Sequence, residues 1–205
     1  MKDRYEAGDV DLAPNVFSFS SVISAWSKSG DRNAGKYAEK LLENMIELHE
    51  RGLHNVAPNK ITYSSCIHAW SRSKQRNAGT KASALLKRME RHDEKGYINI
   101  KPNTVSFTSA IDAWVNSGDP NLLKEAEDIF ELMIKRSESG DEDAAPTTAT
   151  FNAMFRAIRH SSTDEVKYLK ADQLFNRMQR MLEQGYYKVK PDTATYNEVS
   201  IDLGV

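Results

Sequence analysis

The stretch PNVFSFSSVISAWSKSGDRNAG at residues 14–35 recurs as PNKITYSSCIHAWSRSKQRNAG at residues 58–79. Between the two 44-residue windows that begin at these prolines, 20 positions are identical. Five prolines continue the spacing at intervals of 44, 44, 44 and 45 residues, each followed after four and five residues by a hydroxyl and an aromatic residue. A fixed period of this length is the signature of an array of structural repeats. The register prolines are Pro14, Pro58, Pro102, Pro146 and Pro191.

The first half of each repeat has the apolar spacing of a helix. In the first repeat Phe19, Ile23 and Trp26 lie at i, i+4 and i+7, which places them on one helical face. The helix is expected to begin after the proline, with Ser18 as its N-cap. Trp26 and its equivalents Trp70 and Trp114 fall on this apolar stripe, which predicts core packing rather than a stacking ladder for bases.

The second half of each repeat also predicts a helix. Ala38, Leu41, Leu42 and Met45 follow the i, i+3, i+4, i+7 template, and four repeats carry equivalent residues. In the third repeat Asp119 and Pro120 are expected to be its N-cap and first helical residue. A glycine six residues before each later proline predicts a left-handed end to this helix. These glycines are Gly52, Gly96, Gly140 and Gly185.

Two helices per repeat predict an all-α chain of stacked helix-turn-helix hairpins. One hairpin cannot bury both of its apolar faces, so neighbours must stack into a superhelix with one long groove. The predicted boundaries are the tail of a preceding repeat at 1–13, repeat units at 14–57, 58–101, 102–145 and 146–190, and the start of a further, truncated unit at 191–205. We therefore expect a fragment of a longer array, with apolar interfaces at both ends.

The composition narrows the function classes. Lys and Arg number 28 against 29 Asp and Glu, giving a net charge of −1, and the mean hydropathy is −0.62. A strong nonspecific binder of nucleic acid is not expected at this charge. No apolar run is long enough for a membrane-spanning helix, so no membrane partner is predicted, and no targeting segment is visible.

No catalytic motif is visible in the sequence. Phosphate-binding loops, nucleophile elbows and metal-ligating histidine spacings are absent, which predicts a protein that is not an enzyme and has no cofactor or metal site. The single cysteine, Cys66, takes the position of Val22 and Ala110 in neighbouring units and is predicted to be a small buried apolar residue.

The repeat openings PNVFSFS, PNKITYS, PTTATFN and PDTATYN, each leading into a helical hairpin that ends in a methionine-centred stretch and a glycine, resemble the pentatricopeptide repeat. The resemblance covers residues 14–205, in a long-unit variant of 44 residues. It implies a right-handed superhelical solenoid (an α-α superhelix) that binds single-stranded RNA, about one base per repeat. It also implies work in a mitochondrion or chloroplast, in RNA processing, stability, editing or translation.

The resemblance assigns base recognition to two side chains per unit, one six residues after the register proline and one directly after the next proline. Short Ser, Thr, Asn and Asp side chains suit the Watson–Crick edge of a base. The family analogy favours adenine for the first two pairs and uracil for the fourth, with the third unassigned, in the 5′ to 3′ direction. The alternative is that these residues are only turn and cap residues. The pairs are Ser20 with Asn59, Ser64 with Asn103, Thr108 with Thr147, and Asn152 with Asp192.

Two further sets of residues follow from the same resemblance. Phe17, Ile61, Val105 and Ala149, each three residues after its proline, are expected to sandwich the bases, and Ala149 offers the least contact. Further along the first helix, Lys28 and Arg72 are expected to contact phosphates, whereas Asn116 and His160 stand at the equivalent positions of later units.

Charge is distributed unevenly between units. Residues 58–101 hold ten Lys and Arg against three Asp and Glu, whereas residues 102–145 hold three against ten. RNA contacts are therefore expected mainly on the first two units, although many of these charges are expected on solvated outer helix faces.

Two other functions stay open: a scaffold that binds protein partners in its groove or at its open ends, and the RNA-binding arm of a nuclease such as a protein-only RNase P.

Overall fold

A computed structural model describes residues 14–94, 100–160 and 164–203, and within these ranges it contains nine α-helices and no strand. The helices alternate between the first and second positions of successive hairpins, and each packs on its neighbours in the chain and in the next unit. This confirms an all-α helical-repeat solenoid. The predicted tail at 1–13 lies outside the described residues. The helices are α1 (Val16–Ser29), α2 (Ala34–Glu50), α3 (Lys60–Ser73), α4 (Ala78–Glu94), α5 (Thr104–Ser117), α6 (Leu122–Glu138), α7 (Thr148–Arg159), α8 (Asp164–Glu183) and α9 (Thr193–Leu203).

The first helices begin three residues earlier than a cap at Ser18 requires. Asn15 is the N-cap of α1, and its Oδ1 accepts the backbone N–H of Ser18 at 3.0 Å. In α3 and α5 the equivalent of Ser18 is the third helical residue, and its hydroxyl accepts from the N–H of the cap residue, which completes a capping box. The prediction that Ser18 caps α1 was therefore wrong, because the asparagine after the proline takes that position.

In the third unit, the turn between the two helices differs from the expectation. Asp119 and Pro120 lie in the turn before α6, which begins at Leu122 with Asn121 as its N-cap. The carboxylate of Asp119 accepts the backbone N–H of Asn121 at 2.8 Å, so it stabilises the turn instead of the helix end. The predicted start of this helix was two residues too early.

The second helices of three units end at the predicted glycines. Gly52, Gly140 and Gly185 adopt φ angles of 96°, 92° and 96°, in the left-handed region that residues with a Cβ rarely enter. A short 3-10 turn then leads to the next register proline. Gly96, the fourth predicted glycine, lies outside the described residues. The 3-10 turns are His54–Val56, Glu142–Ala144 and Tyr187–Val189.

Tryptophans join consecutive units, as the apolar stripe predicts. Trp70 and Trp114 are 3% and 6% exposed, and each ring lies flat against a glycine in the second helix of the preceding unit. A Cβ added to Gly35 would lie 2.4 Å from Trp70, and one added to Gly79 would lie 2.3 Å from Trp114. The repeated sequence segments RNAG and AW therefore supply the glycine and the tryptophan of one contact between units.

Small and apolar side chains fill the core between the hairpins. Cys66 is fully buried, and burial raises the pKa of its thiol well above the usual value, which agrees with the prediction that it acts as a small apolar residue. The repeat methionines Met45, Met89, Met133 and Met178 are also fully buried. No described helix is both long and apolar enough to cross a membrane.

Ion pairs between second helices explain part of the uneven charge. Acidic residues on one second helix face basic residues on the next, some 42 to 46 positions later in the chain. Many charged side chains of the second and third units are thus engaged in contacts between units. The net charge of a unit therefore overstates the number of basic side chains that are available to bind RNA phosphates. The pairs are Glu39 with Lys81, Glu43 with Arg88, Glu90 with Arg136, Glu127 with Lys170, and Glu131 with Arg177.

Candidate nucleic-acid interface

The predicted base-recognition residues lie where the first helices of adjacent units meet. One residue of each pair is on a first helix, and the other is the N-cap of the first helix in the next unit. We call each such junction a slot and number the slots along the chain. Slot 1 holds Ser20 and Asn59, slot 2 holds Ser64 and Asn103, slot 3 holds Thr108 and Thr147, and slot 4 holds Asn152 and Asp192.

Two of the four pairs are in direct contact. The hydroxyl of Ser64 donates to Oδ1 of Asn103 at 3.3 Å, and Nδ2 of Asn152 donates to Oδ1 of Asp192 at 3.2 Å. In slot 1, by contrast, the Ser20 hydroxyl donates to the backbone carbonyl of Val16 at 2.6 Å. No hydrogen bond joins the slot 1 pair among the described residues.

Slot 3 has a different arrangement. The hydroxyl of Thr150 lies 2.8 Å from that of Thr108 and 3.3 Å from that of Thr147, so it links the two members of the pair. Both members of this pair are threonines, and each hydroxyl is already engaged by that of Thr150. The slot therefore lacks the amide or carboxylate that would give it a defined preference, which fits the absence of an assigned base.

The second members of the pairs cap helices, as the alternative interpretation expected. Oδ1 of Asn59 accepts the backbone N–H groups of Ile61 and Thr62 at 2.9 and 3.1 Å, and Oδ1 of Asn103 accepts that of Ser106 at 3.0 Å. Because capping uses only Oδ1, it fixes the orientation of the amide and leaves Nδ2 available. Neither Nδ2 has a partner among the described residues. Capping and base recognition are thus compatible in one side chain.

Slot 2 presents an acceptor beside a donor. Ser64 gives its proton to Asn103, so its lone pairs remain as acceptors, and the Nδ2 group of Asn103 supplies two N–H donors. Ser64 is 6% exposed, so only the polar edge of the pair is within reach of a ligand. An edge that carries an amino group beside a ring nitrogen, as in adenine, is complementary to this pair.

In slot 4 the two roles are exchanged, because the residue on the first helix is the donor and the N-cap residue is the acceptor. Oδ1 of Asp192 accepts the backbone N–H of Thr195 at 2.8 Å, its hydroxyl at 3.0 Å and the amide of Asn152. The backbone hydrogen bond from Thr195 is the main cause that lowers the pKa of Asp192, and the Asn152 amide adds to it. The second carboxylate oxygen remains an acceptor beside the other N–H of Asn152. A base edge with a ring N–H next to a carbonyl, as in uracil, is complementary to this pair.

Apolar side chains stand beside the polar pairs in the first three units. Phe17, Ile61 and Val105 are 77%, 58% and 53% exposed, although large apolar side chains normally avoid water. Ala149 is also exposed, but it has little surface to offer. The sequence predicted this row of residues, and the structure leaves their side chains accessible.

A cavity of about 280 Å³ brings these features together at slot 2. Ile61 and Val105 line it from two adjacent units, together with the recognition pair Ser64 and Asn103. Lys28 also lines it, so a predicted phosphate contact lies in the same cavity. Two exposed apolar side chains on either side of a polar pair form a suitable pocket for one flat base.

The predicted phosphate contacts are exposed and have no ion-pair partner among the described residues. Lys28 lies near the end of α1 and Arg72 near the end of α3. At the equivalent position in the third unit, the amide of Asn116 donates to the carbonyl of Ser71 at 2.9 Å, so it is engaged with the protein. His160, in the fourth unit, is exposed.

Two kinds of residue at the slots were not predicted from the sequence. His68 lines the slot 2 cavity one helical turn after Ser64, and this i, i+4 spacing is a signal that the sequence contained. Thr150 and Thr195 hold the slot 3 and slot 4 pairs through their hydroxyls. They stand at the recurrent hydroxyl position of Ser18, which was predicted to be the N-cap; here their hydroxyls accept the backbone N–H groups of the cap residues Thr147 and Asp192.

A sequence model described as a pentatricopeptide repeat domain matches residues 85–160, from the middle of the second unit to the end of α7. No curated protein matches the chain. Proteins of the matched family are typically RNA-binding helical-repeat proteins without catalytic activity and are generally found in organelles.

Proposed function

We propose that this chain, in which a pentatricopeptide repeat domain is matched at residues 85–160, binds single-stranded RNA selectively along the row of slots, with about one base per repeat. The observation that carries the proposal is the slot 2 cavity, where two exposed apolar residues flank a polar pair contributed by two units. A polar pair stands at the same positions in slots 1, 3 and 4, and large exposed apolar residues stand at the flanking position of the first three units.

The donor and acceptor patterns support the bases that the family resemblance favours. Slot 2 offers an acceptor and a donor, which pair with the amino group and ring nitrogen N1 of adenine. Slot 1 carries the same residue types and is assigned adenine as well. Slot 4 offers a carboxylate acceptor and an amide donor, which pair with N3–H and a carbonyl of uracil. The proposed core is A-A-N-U in the 5′ to 3′ direction, where slot 3 accepts any base.

The apolar row supplies affinity rather than selectivity. Each base is held between side chains of adjacent units, at about 1–3 kcal/mol per base where the partner is aromatic, as Phe17 is. Ile61 and Val105 make apolar contacts, and Ala149 contributes least, so the fourth base is held most weakly. Lys28 and Arg72 neutralise phosphates and orient the strand without distinguishing sequences.

Such a protein acts as an adaptor. We place it in the organellar processing, stabilisation, editing or translation of RNA, in a mitochondrion or chloroplast, because the family generally works there. Binding along the groove by itself shields the RNA from nucleases and keeps the bound segment single-stranded. No catalytic step by this chain is part of the proposal.

A competition assay tests the proposal. A labelled single-stranded RNA with an A-A-C-U core is bound by the protein and displaced by unlabelled RNAs that carry either the same core or U-U-C-A, which changes the base at each of the three assigned slots and does not anneal to the probe. We expect the matched core to compete at least about tenfold better, and affinity to fall steeply with salt because phosphate contacts release counterions. Equal competition by both RNAs would contradict base recognition. Capture of a peptide by a groove that ignores RNA would instead support a protein-binding scaffold.

A further inference from the structure

His68 is placed to contact RNA, although neither the family resemblance nor the proposed recognition pairs include it. It is half-buried in α3 and lines the same cavity as Ser64, Asn103 and Lys28. Ser64, His68 and Arg72 are spaced by four residues along α3, so they follow one stripe of the helix. The stripe runs from the base-recognition pair to a predicted phosphate contact.

The charges around His68 favour its neutral form when no RNA is bound. Arg72 on its own helix and Lys28 on α1 of the preceding unit are both positive. On the following unit, the carboxylate of Asp112 acts in the opposite direction, but it is held by Arg156 at 2.6 Å. Burial is the main cause that lowers the pKa of His68, and the charge of Arg72 comes next.

A phosphodiester bound beside Lys28 and Arg72 reverses this balance. It brings one negative charge into a region that holds two unpaired cations, and it offers acceptor oxygens to an imidazole N–H. Opposite charge at close range favours the protonated imidazole. RNA thus supplies the partner that the protein does not provide.

We propose that His68 is a proton-linked RNA contact at slot 2, where its imidazolium form donates a hydrogen bond to the phosphodiester held between Lys28 and Arg72. The inference rests on the proposed function and adds a contact to it. RNA binding then takes up a proton, because His68 is neutral in the free protein at neutral pH and protonated in the complex. Affinity must therefore rise as the pH falls from about 8 to about 5.5.

The affinity of the wild-type chain and of two variants for A-A-C-U RNA, measured at both ends of this pH range, tests the inference. The wild-type chain is expected to bind about tenfold more tightly at about pH 5.5, which corresponds to one unit of difference between the pKa values in the free and bound states. His68→Gln is expected to bind weakly with little dependence on pH. His68→Lys, which stays protonated across the range, is expected to bind tightly at both ends.

The matched control is His54→Gln, which removes an exposed histidine from the turn before the second unit, outside the row of predicted phosphate contacts and outside the lining of the slot 2 cavity; it is expected to keep the wild-type pH profile. Calorimetry in two buffers of different ionisation enthalpy measures the proton uptake directly, and a merely structural role of His68 would not change that quantity. Thermal unfolding of each variant at both pH values shows whether it is folded under the binding conditions.

The outcomes separate the inference from the proposed function. Wild-type binding that is tight and selective but independent of pH overturns the role of His68 and leaves base recognition intact. Retention of the pH profile by His68→Gln, or its loss in His54→Gln, also overturns it. A chain that binds neither the A-A-C-U RNA nor the U-U-C-A RNA at any pH overturns both.

Discussion

Replacement of Gly79 by alanine tests how the units are stacked. The added Cβ would lie 2.3 Å from Cδ2, 2.5 Å from Cε3 and 2.8 Å from Cε2 of Trp114, whereas ordinary carbon contacts begin near 3.5 Å. The ring or the backbone of α4 must therefore move by about 1 Å. Movement of the ring also strains the hydrogen bond of its indole N–H to the hydroxyl of Ser83, at 2.8 Å.

Two opposing effects determine how much Gly79→Ala changes the free energy of unfolding. Alanine is preferred over glycine in a helix interior by about 1 kcal/mol, which favours the variant. Overpacking of a well-filled interface costs about 1–3 kcal/mol, and a weakened buried hydrogen bond adds to this cost. We expect a net loss of about 1–3 kcal/mol in the free energy of unfolding, measured by urea denaturation. A Gly79→Ala chain as stable as the wild type, or more stable, would refute the contact.

A double substitution, in which the second change makes room for the first, serves as the control. In the next junction, Leu123 stands at the position of Gly79 and Ile158 at the position of Trp114, and both are buried. The double substitution Gly79→Leu with Trp114→Ile copies this junction. It should be more stable than Gly79→Leu alone, because the smaller Ile makes room for the added side chain.

Three further predictions concern single side chains. Asp192→Asn keeps the helix cap, since Asn and Asp cap equally well, but it replaces a carboxylate acceptor by an amide donor and should change the preferred fourth base from uracil to cytosine in a competition assay. Arg72→Ala should weaken binding to all RNAs about equally and reduce the slope of log affinity against log salt by about one. Arg136→Met removes a partner of the buried carboxylate of Asp141, at 3.2 Å, and should cost about 1–3 kcal/mol of stability in urea denaturation. The exposed pair of Arg51 with Glu47 is its control, since Arg51→Met should cost less than about 0.5 kcal/mol.

The repeat period determined most of the fold. Recurrence of the proline, the apolar stripe and the terminal glycine predicted the hairpins, and burial of Trp70 and Cys66 confirmed two interpretations of the stripe. These features are local and periodic, so the amino-acid sequence displays them directly. The exact helix starts were not predictable in this way, because both Asn15 and Ser18 are good N-caps and only the backbone geometry decides between them.

Contacts between units were the part that the sequence hid. The pairing of Glu43 with Arg88 joins residues that are 45 positions apart, so a count of charge by unit could not identify it. The presence of His68 in the slot 2 cavity depends in the same way on how α1, α3 and α5 stack. The candidate recognition pairs came from a resemblance, and the structure adds which of their atoms are used by helix caps and which remain.

The double substitution Ser64→Asn with Asn103→Asp tests the central claim most directly. It gives slot 2 the residues of slot 4, and Asp at position 103 still caps α5. In a competition assay with RNAs that vary only at the second base, we expect the preference to change from adenine to uracil by about 1–3 kcal/mol, with the other positions unaffected. An unchanged preference for adenine in a folded variant would contradict recognition of one base by one pair.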